Sequence, residues 1–146
     1  LSTLSMSLAL PEDGSITALD KNHETSKIAV NFFKKASQNN KIKLIIAPAL
    51  ESLKNLNDNK QKFDLIFIDA DKENYLNYFN RSVDLIDKDG LIVIDNVLWH
   101  GEVVNVNKQD KLTLSIREFN SYVNKDKRVE NLIIPLGDGL SVCRKL

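Results

Sequence analysis

The sequence predicts an α/β fold: a three-layer Rossmann-like sheet, mostly parallel, closed by a C-terminal antiparallel hairpin. Three observations lead there. Short β-rich or apolar runs alternate four times with segments whose apolar residues recur at helical spacing. The last two runs, VENLIIPLG and GLSVCRKL, meet at a GDG turn over 137–139 and read as a hairpin. Several strand candidates also end in polar side chains, as strands do where they emerge at the rim of a helix-covered sheet.

Taken in order, residues 1–10 read as the inside of a helix, with Leu4, Leu8 and Ala9 on one side, Pro11 as its stop and PEDG as a turn. Because the chain opens on Leu1 within that helical pattern, more of the fold is expected N-terminal to it. SITALD (15–20) is a short strand. HETSKIAVNFFKKA (23–36) spaces Ile28, Phe32 and Ala36, and also Ala29 and Phe33, as a helix does. KIKLIIAP (41–48) is a second strand closed by Pro48, and ALESLKNL (49–56) sets Leu50, Leu53 and Leu56 on one helical face. FDLIFIDA (63–70) is a third strand. NYLNYFNRSVDLI (74–86) carries a stripe of Leu76, Phe79, Val83 and Ile86, and DKDG (87–90) is a turn. GLIVIDNV (90–97) is the fourth strand, its Leu91–Ile94 run implying burial on both faces. A loop over about 98–109 leads to KLTLSIREFNSYV (111–123), a helix with Leu112, Ile116, Phe119 and Val123 on one face.

Composition narrows the function. A chain of 146 residues fits one domain over 1–146, able to bury roughly two-thirds of its unfolded surface. Twenty basic against twenty acidic residues give a net charge of +0, so nothing draws the chain as a whole to nucleic acid or an anionic membrane. The single cysteine, Cys143, can form no internal disulfide, and no apolar run is long enough to span a bilayer; a reducing, cytoplasmic setting fits.

Ligands of such sheets bind beyond the carboxyl ends of the parallel strands. There the sequence places Asp20, Asp69, Asp95 and Asn96. Asp20 can cap the next helix or accept hydrogen bonds from ribose hydroxyls. Asp69 and Asp71 can be turn formers. Asp95, inside IVIDNV, is harder to explain as solvated polarity, since a buried carboxylate costs several kcal/mol unless something cationic compensates it. Asp69, Asp95 and Asn96 together offer three oxygen donors from adjacent strand ends, a set suited to Mg²⁺, Ca²⁺ or Mn²⁺, whereas zinc prefers histidine or cysteine. Half an octahedron of protein ligands leaves room for water or substrate.

FDLIFIDADKENYLNYFNRSVDLIDKDGLIVIDNVLWHGEV resembles the core of the class I S-adenosylmethionine-dependent O-methyltransferases of the caffeoyl-CoA and catechol type, bacterial members included. LSMSLALPEDGSITALD, APALESL, SIREFN and IPLGDGL have counterparts in that family in the same order. The resemblance implies metal ligation by Asp69, Asp95 and Asn96, with Mg²⁺ the usual ion. It implies cofactor contacts at Ser2, at Asp20 on the ribose, at Ala49 near the adenine and at Asp69 near the methionine end. Lys72 matches the base that takes the acceptor hydroxyl's proton; its other reading is a solvated lysine at a helix start. Trp99 and His100 fall where the family lines its acceptor pocket, and Trp99 can alternatively be a lid over apolar surface. The implied acceptor is a small hydroxylated aromatic, its choice resting partly on the loop around Glu102–Asp110; dimerisation is an expectation of the family only.

The family's central strand and glycine-containing loop have no counterpart in this sequence, so the expected domain is incomplete, with two strand edges left facing a gap. The chain alone is therefore expected to bind cofactor weakly or not at all, and the alternative to an enzyme is a noncatalytic remnant of one. A nicotinamide enzyme on the same sheet type would need a GxGxxG run after a strand, and none occurs.

Overall fold

The computed structural model describes residues 1–146, which form two compact units, Leu1–Ser52 and Leu53–Leu146. The first contains α1 (Ser2–Ala9), β1 (Ile16–Asp20), α2 (His23–Lys35), β2 (Ile42–Ile46) and the start of α3 (Ala49–Asp58). Its sheet is the parallel pair β1–β2, in register from Ile16 opposite Ile42 to Asp20 opposite Ile46. Within this unit Leu1, Leu4, Leu19, Ile28, Phe32 and Leu44 line a cleft of about 470 Å³.

Two helical faces there differ from expectation. In α1 the buried residue is Ser7, whose hydroxyl donates to the Leu4 carbonyl at 2.8 Å, while Leu8 and Ala9 are exposed. In α2 only part of the anticipated stripe turns inward: Phe33 is buried, but Ile28 and Phe32 are more than half exposed and face the cleft.

The helix start is better defined. Asn22 caps α2, its side-chain oxygen accepting from the backbone N–H of Glu24 (3.0 Å) and Thr25 (3.1 Å). Asp20 makes the turn before it, accepting from the Asn22 N–H at 2.8 Å. Asn22→Ala leaves two donors of the first turn unmet and is expected to cost about 1 kcal/mol, read as a lower urea midpoint at unchanged slope.

The second unit comprises β3 (Phe63–Ile68), α4 (Tyr75–Leu85), β4 (Ile86–Ile94), α5 (Lys111–Lys125), β5 (Val129–Ile134) and β6 (Leu140–Lys145), with 3₁₀ turns over Lys72–Asn74 and Trp99–Val104. Its strands run in the order β3-β4-β6-β5: β3 pairs parallel with β4, and β6 pairs antiparallel with both β4 and β5. The expected hairpin is present, but its second strand lies inside the sheet and its first at the edge. Strands β1 and β2 pair only with each other, and the other four strands form a sheet of their own.

The edge position of β3 corrects one expectation. Its apolar run suggests burial throughout, yet only Ile68 is buried and Leu65 is half exposed, because one side of the strand has no partner. In β4, Ile92 and Ile94 are fully buried while Leu91 and Val93 are only partly covered, so the two faces are unequal. The DKDG turn survives as an excursion within β4: β3 advances from Phe63 to Leu65 while β4 advances from Ile86 to Leu91, with Asp89 at φ +66°.

The core of this unit is aromatic. Tyr75 and Phe79 on α4 meet Phe119 on α5 edge-on, at ring centroid distances of 5.6 and 6.0 Å, and all three are essentially inaccessible. Ile116, Val123, Ile92, Ile94 and Val97 are buried in the same unit. Cys143 is free and buried in β6, and burial pushes its thiol up to about 11. No helix is long and apolar enough to cross a membrane.

Candidate active site

The ends of β3 and β4 are tied together by a hydrogen bond from the Asp95 N–H to the Ile68 carbonyl, 3.0 Å. That bond sets Asp69 and Asp95, each the first residue past its strand, at neighbouring tips. The chain then turns sharply. Asn96 is left-handed at φ +59°, a conformation asparagine tolerates better than most residues, and its N–H donates to its neighbour's Asp95 Oδ1 at 2.7 Å.

Lys72 joins these groups. Its ammonium, largely buried, donates to Asn96 Oδ1 at 2.8 Å and to the Tyr75 hydroxyl at 2.7 Å, and lies 3.5 Å from Asp69 Oδ1. It also sits 4.9 Å from the centre of the Tyr75 ring. The Tyr75 hydroxyl in turn donates to the Asp95 carbonyl at 2.8 Å. Burial, followed by the nearby Asp69 and Asp95 carboxylates, drives the Tyr75 phenol well above its ordinary range, so it remains a neutral donor. Two strand-end carboxylates therefore act on one hydroxyl, and one ammonium touches two of the three oxygen donors anticipated from the sequence.

Asp71 has another task. It accepts from the Tyr78 hydroxyl at 2.7 Å and from the Asn74 amide, anchoring the start of α4, and burial together with that hydrogen bond pushes Tyr78 up to about 12. The turn-former reading of Asp71 is the one its contacts support.

A second turn braces the segment after Asn96. Val97 N–H donates to the Gly139 carbonyl (3.1 Å) and Leu98 N–H to the Asp138 carbonyl (2.9 Å), while the Asp138 side chain accepts from the His100 N–H. Trp99, His100 and Gly101 are all left-handed, at φ +48°, +54° and +78°, a costly run for two side chains. Gly139 is itself at φ +84°, and a Cβ there would stand 2.4 Å from Leu98 Cγ, so backbone must come this close for the brace to form. The Trp99 and His100 rings lie 5.5 Å apart; Trp99 is half-buried and the His100 side chain largely exposed.

The structure thus brings together Asp69, Lys72, Asp95 and Asn96, with Trp99 and His100 on the adjoining turn. Ser2, at the first turn of α1, Asp20, exposed at the end of β1, and Ala49, at the start of α3, all belong to the first unit. Tyr75 and Asp138 escaped the sequence reading. Tyr75 stands three residues after Lys72 on a helical start, a spacing that sets two side chains together, whereas GDG signals only a turn and not what the turn touches.

No group of three or more histidine, cysteine, aspartate or glutamate side chains gathers as a metal site. A cation here would rest on two carboxylates and the Asn96 amide oxygen. The all-oxygen donor set fits a hard divalent ion in chemistry, and the Lys72 ammonium, now against Asn96 Oδ1 and Asp69 Oδ1, would have to give those oxygens up to it.

Comparison with known proteins identifies the family. The sequence profile of the family described as O-methyltransferase matches residues 1–146. The chain is 40% identical to caffeoyl-CoA O-methyltransferase 5 of Nicotiana tabacum, over 99% of this chain and 64% of that protein. It is 42% identical to caffeoyl-CoA O-methyltransferase 1 of Eucalyptus globulus, over 99% and 62%. The crystal structure of the O-methyltransferase from Bacillus cereus in complex with SAH superposes with a TM-score of 0.91 at 28% identity, covering 99% of this chain and 69% of that one. The chain spans a little under two-thirds of the length of the curated relatives it matches. With a family profile matched from its first residue to its last, on a methyltransferase-like α/β fold, this chain belongs to the O-methyltransferase family.

Proposed function

We propose that the natural polypeptide carrying this sequence transfers a methyl group from S-adenosylmethionine to a hydroxyl of a catechol-like or hydroxycinnamoyl small molecule, with a divalent cation, Mg²⁺ foremost, held by Asp69, Asp95 and Asn96. The observation that carries this reading is the Lys72 ammonium lodged between Asn96 Oδ1 and Asp69 Oδ1 and fixed by Tyr75: a proton carrier beside an oxygen-rich cation site. Names of relatives support the acceptor class. A cytoplasmic, homodimeric enzyme goes with it.

A phenol's pKa lies near 10, so little of it is nucleophilic at neutral pH. A divalent ion, when bound, supplies Lewis-acid stabilisation of the acceptor oxygen. Lys72, in its amine form, takes the hydroxyl proton at Nζ; Tyr75 and Asn96 keep that nitrogen in place. Oxygen then forms its bond to the methyl carbon as the carbon–sulfur bond breaks, the electron pair staying on sulfur. Cofactor contacts are assigned in the first unit to Ser2, Ala49 and Asp20, the last through the carboxylate oxygen not used by Asn22, and in the second unit to Asp69. Trp99 and His100 face the acceptor.

Incubation with S-adenosylmethionine and either catechol or caffeoyl-CoA should yield S-adenosylhomocysteine, lost with EDTA and restored by Mg²⁺. Absence of product with both acceptors in the presence of Mg²⁺ would refute the proposal. Lys72→Met should lower kcat by about 10²–10⁴-fold, while calorimetric binding of S-adenosylmethionine stays near wild type. The 146-residue chain alone is expected to bind the cofactor weakly; micromolar binding in calorimetry would contradict that.

A further inference from the structure

Arg117, on α5, points its guanidinium at a single stretch of backbone. Nε donates to the Val103 carbonyl at 2.8 Å, one terminal nitrogen to Lys108 O at 2.8 Å, and the other to Glu102 O at 3.0 Å and to Asn105 O. Four of the five N–H groups of the fork are thus taken by four carbonyls of residues 102–108.

Little else gives this segment its shape. Val104 and Val106 are about four-fifths exposed and only Val103 among its apolar residues is partly covered, so apolar burial contributes little to holding it. Its own backbone bonds are short-range, Asn105 N–H to Glu102 O at 3.1 Å and Lys108 N–H to Asn105 O at 2.9 Å, and one ion pair, Lys108 to Glu102 at 3.4 Å, lies partly in solvent. Four carbonyl dipoles aimed at one point repel each other unless a cation stands among them. Lysine would not substitute: its three donors radiate from one atom and cannot match four acceptors spread across a plane.

We propose that Arg117 is a positioning residue that fixes residues 102–108 as a preformed wall beside Trp99 and His100, and thereby sets which acceptors are accepted. The inference rests on the assignment of Trp99 and His100 to the acceptor side. The exposed Val104 and Val106 side chains are the wall's apolar surface, available to the part of an acceptor that extends beyond the reacting ring.

The test uses the natural polypeptide with Arg117→Gln and Arg117→Lys, both confirmed as folded by thermal melting. Backbone hydrogen exchange over residues 102–108 should speed up about tenfold or more in both variants, with α4 and the sheet unchanged. The ratio of kcat/KM for caffeoyl-CoA over that for catechol should shift at least about fivefold, through KM rather than kcat. A folded Arg117→Gln protein with wild-type exchange over 102–108, or with an unaltered acceptor ratio, would overturn the proposal, as would full rescue by lysine. If wild type methylates neither acceptor, the proposed function and the specificity half of this inference fail together, while the exchange measurement still decides whether Arg117 is the clamp.

Discussion

Asp95→Ala is expected to lower Mg²⁺-dependent methylation by about a hundredfold or more, because one substitution disturbs two things. It deletes a carboxylate from a three-oxygen set, and loss of even an outer partner of a metal site commonly costs about 10–100-fold. It removes the acceptor for the Asn96 N–H, and so frees the left-handed residue whose amide oxygen holds Lys72. The backbone link to Ile68 and the bond from Tyr75 both use Asp95 main-chain atoms and survive, so the variant should fold. Asp95→Asn separates the effects: it keeps an acceptor for Asn96 and loses the charge. Titration with Mn²⁺ followed by electron paramagnetic resonance should show weaker binding in both variants, more so in the alanine form. An unchanged rate in Asp95→Ala would remove the metal assignment.

Phe119→Ala should have the largest effect on stability, about 3–5 kcal/mol in urea unfolding. Its ring is 1% exposed and is the shared partner of Tyr75 and Phe79, so truncation leaves a cavity lined by two large faces that cannot both close over it. Tyr75 also carries the hydroxyl that holds Lys72 and the Asp95 carbonyl. Activity per folded molecule should therefore fall as well, which a loss of stability alone would not produce. Leu112→Ala on the same helix is the contrast. Leu112 is 37% exposed, and its truncation should cost less than about 1 kcal/mol.

Much of this was legible in the order of residues. Helical spacing located α2, α4 and α5, and in α5 Ile116, Phe119 and Val123 are buried as that spacing requires, whereas Leu112, in the first turn, is exposed. The switch from apolar to acidic at Asp69 and Asp95 marked the strand tips because a strand's last residue leaves the ladder where the next turn begins. Periodicity was blind to context. It could not tell that β3 lies at the edge of its sheet, leaving Leu65 half in solvent, nor which side of α1 or α2 finds a partner. Nor could spacing reveal contacts made across long separations. Lys72 to Asn96 spans 24 residues and His100 to Asp138 spans 38, and Arg117 reads as one more polar position on an amphipathic helix until its carbonyl partners are seen.

The place of β6 bears on how the protein folds. Leu140–Lys145 follows the other five strands in order and yet pairs on both sides, with β4 and with β5. Until β6 is in place, β4 and β5 have no common neighbour, and Asp138 and Gly139 are not in position to receive the N–H groups of residues 97–100. The second unit therefore cannot close around β4 and β5 until β6 is available to it, and its reactive corner stays unassembled until that strand docks.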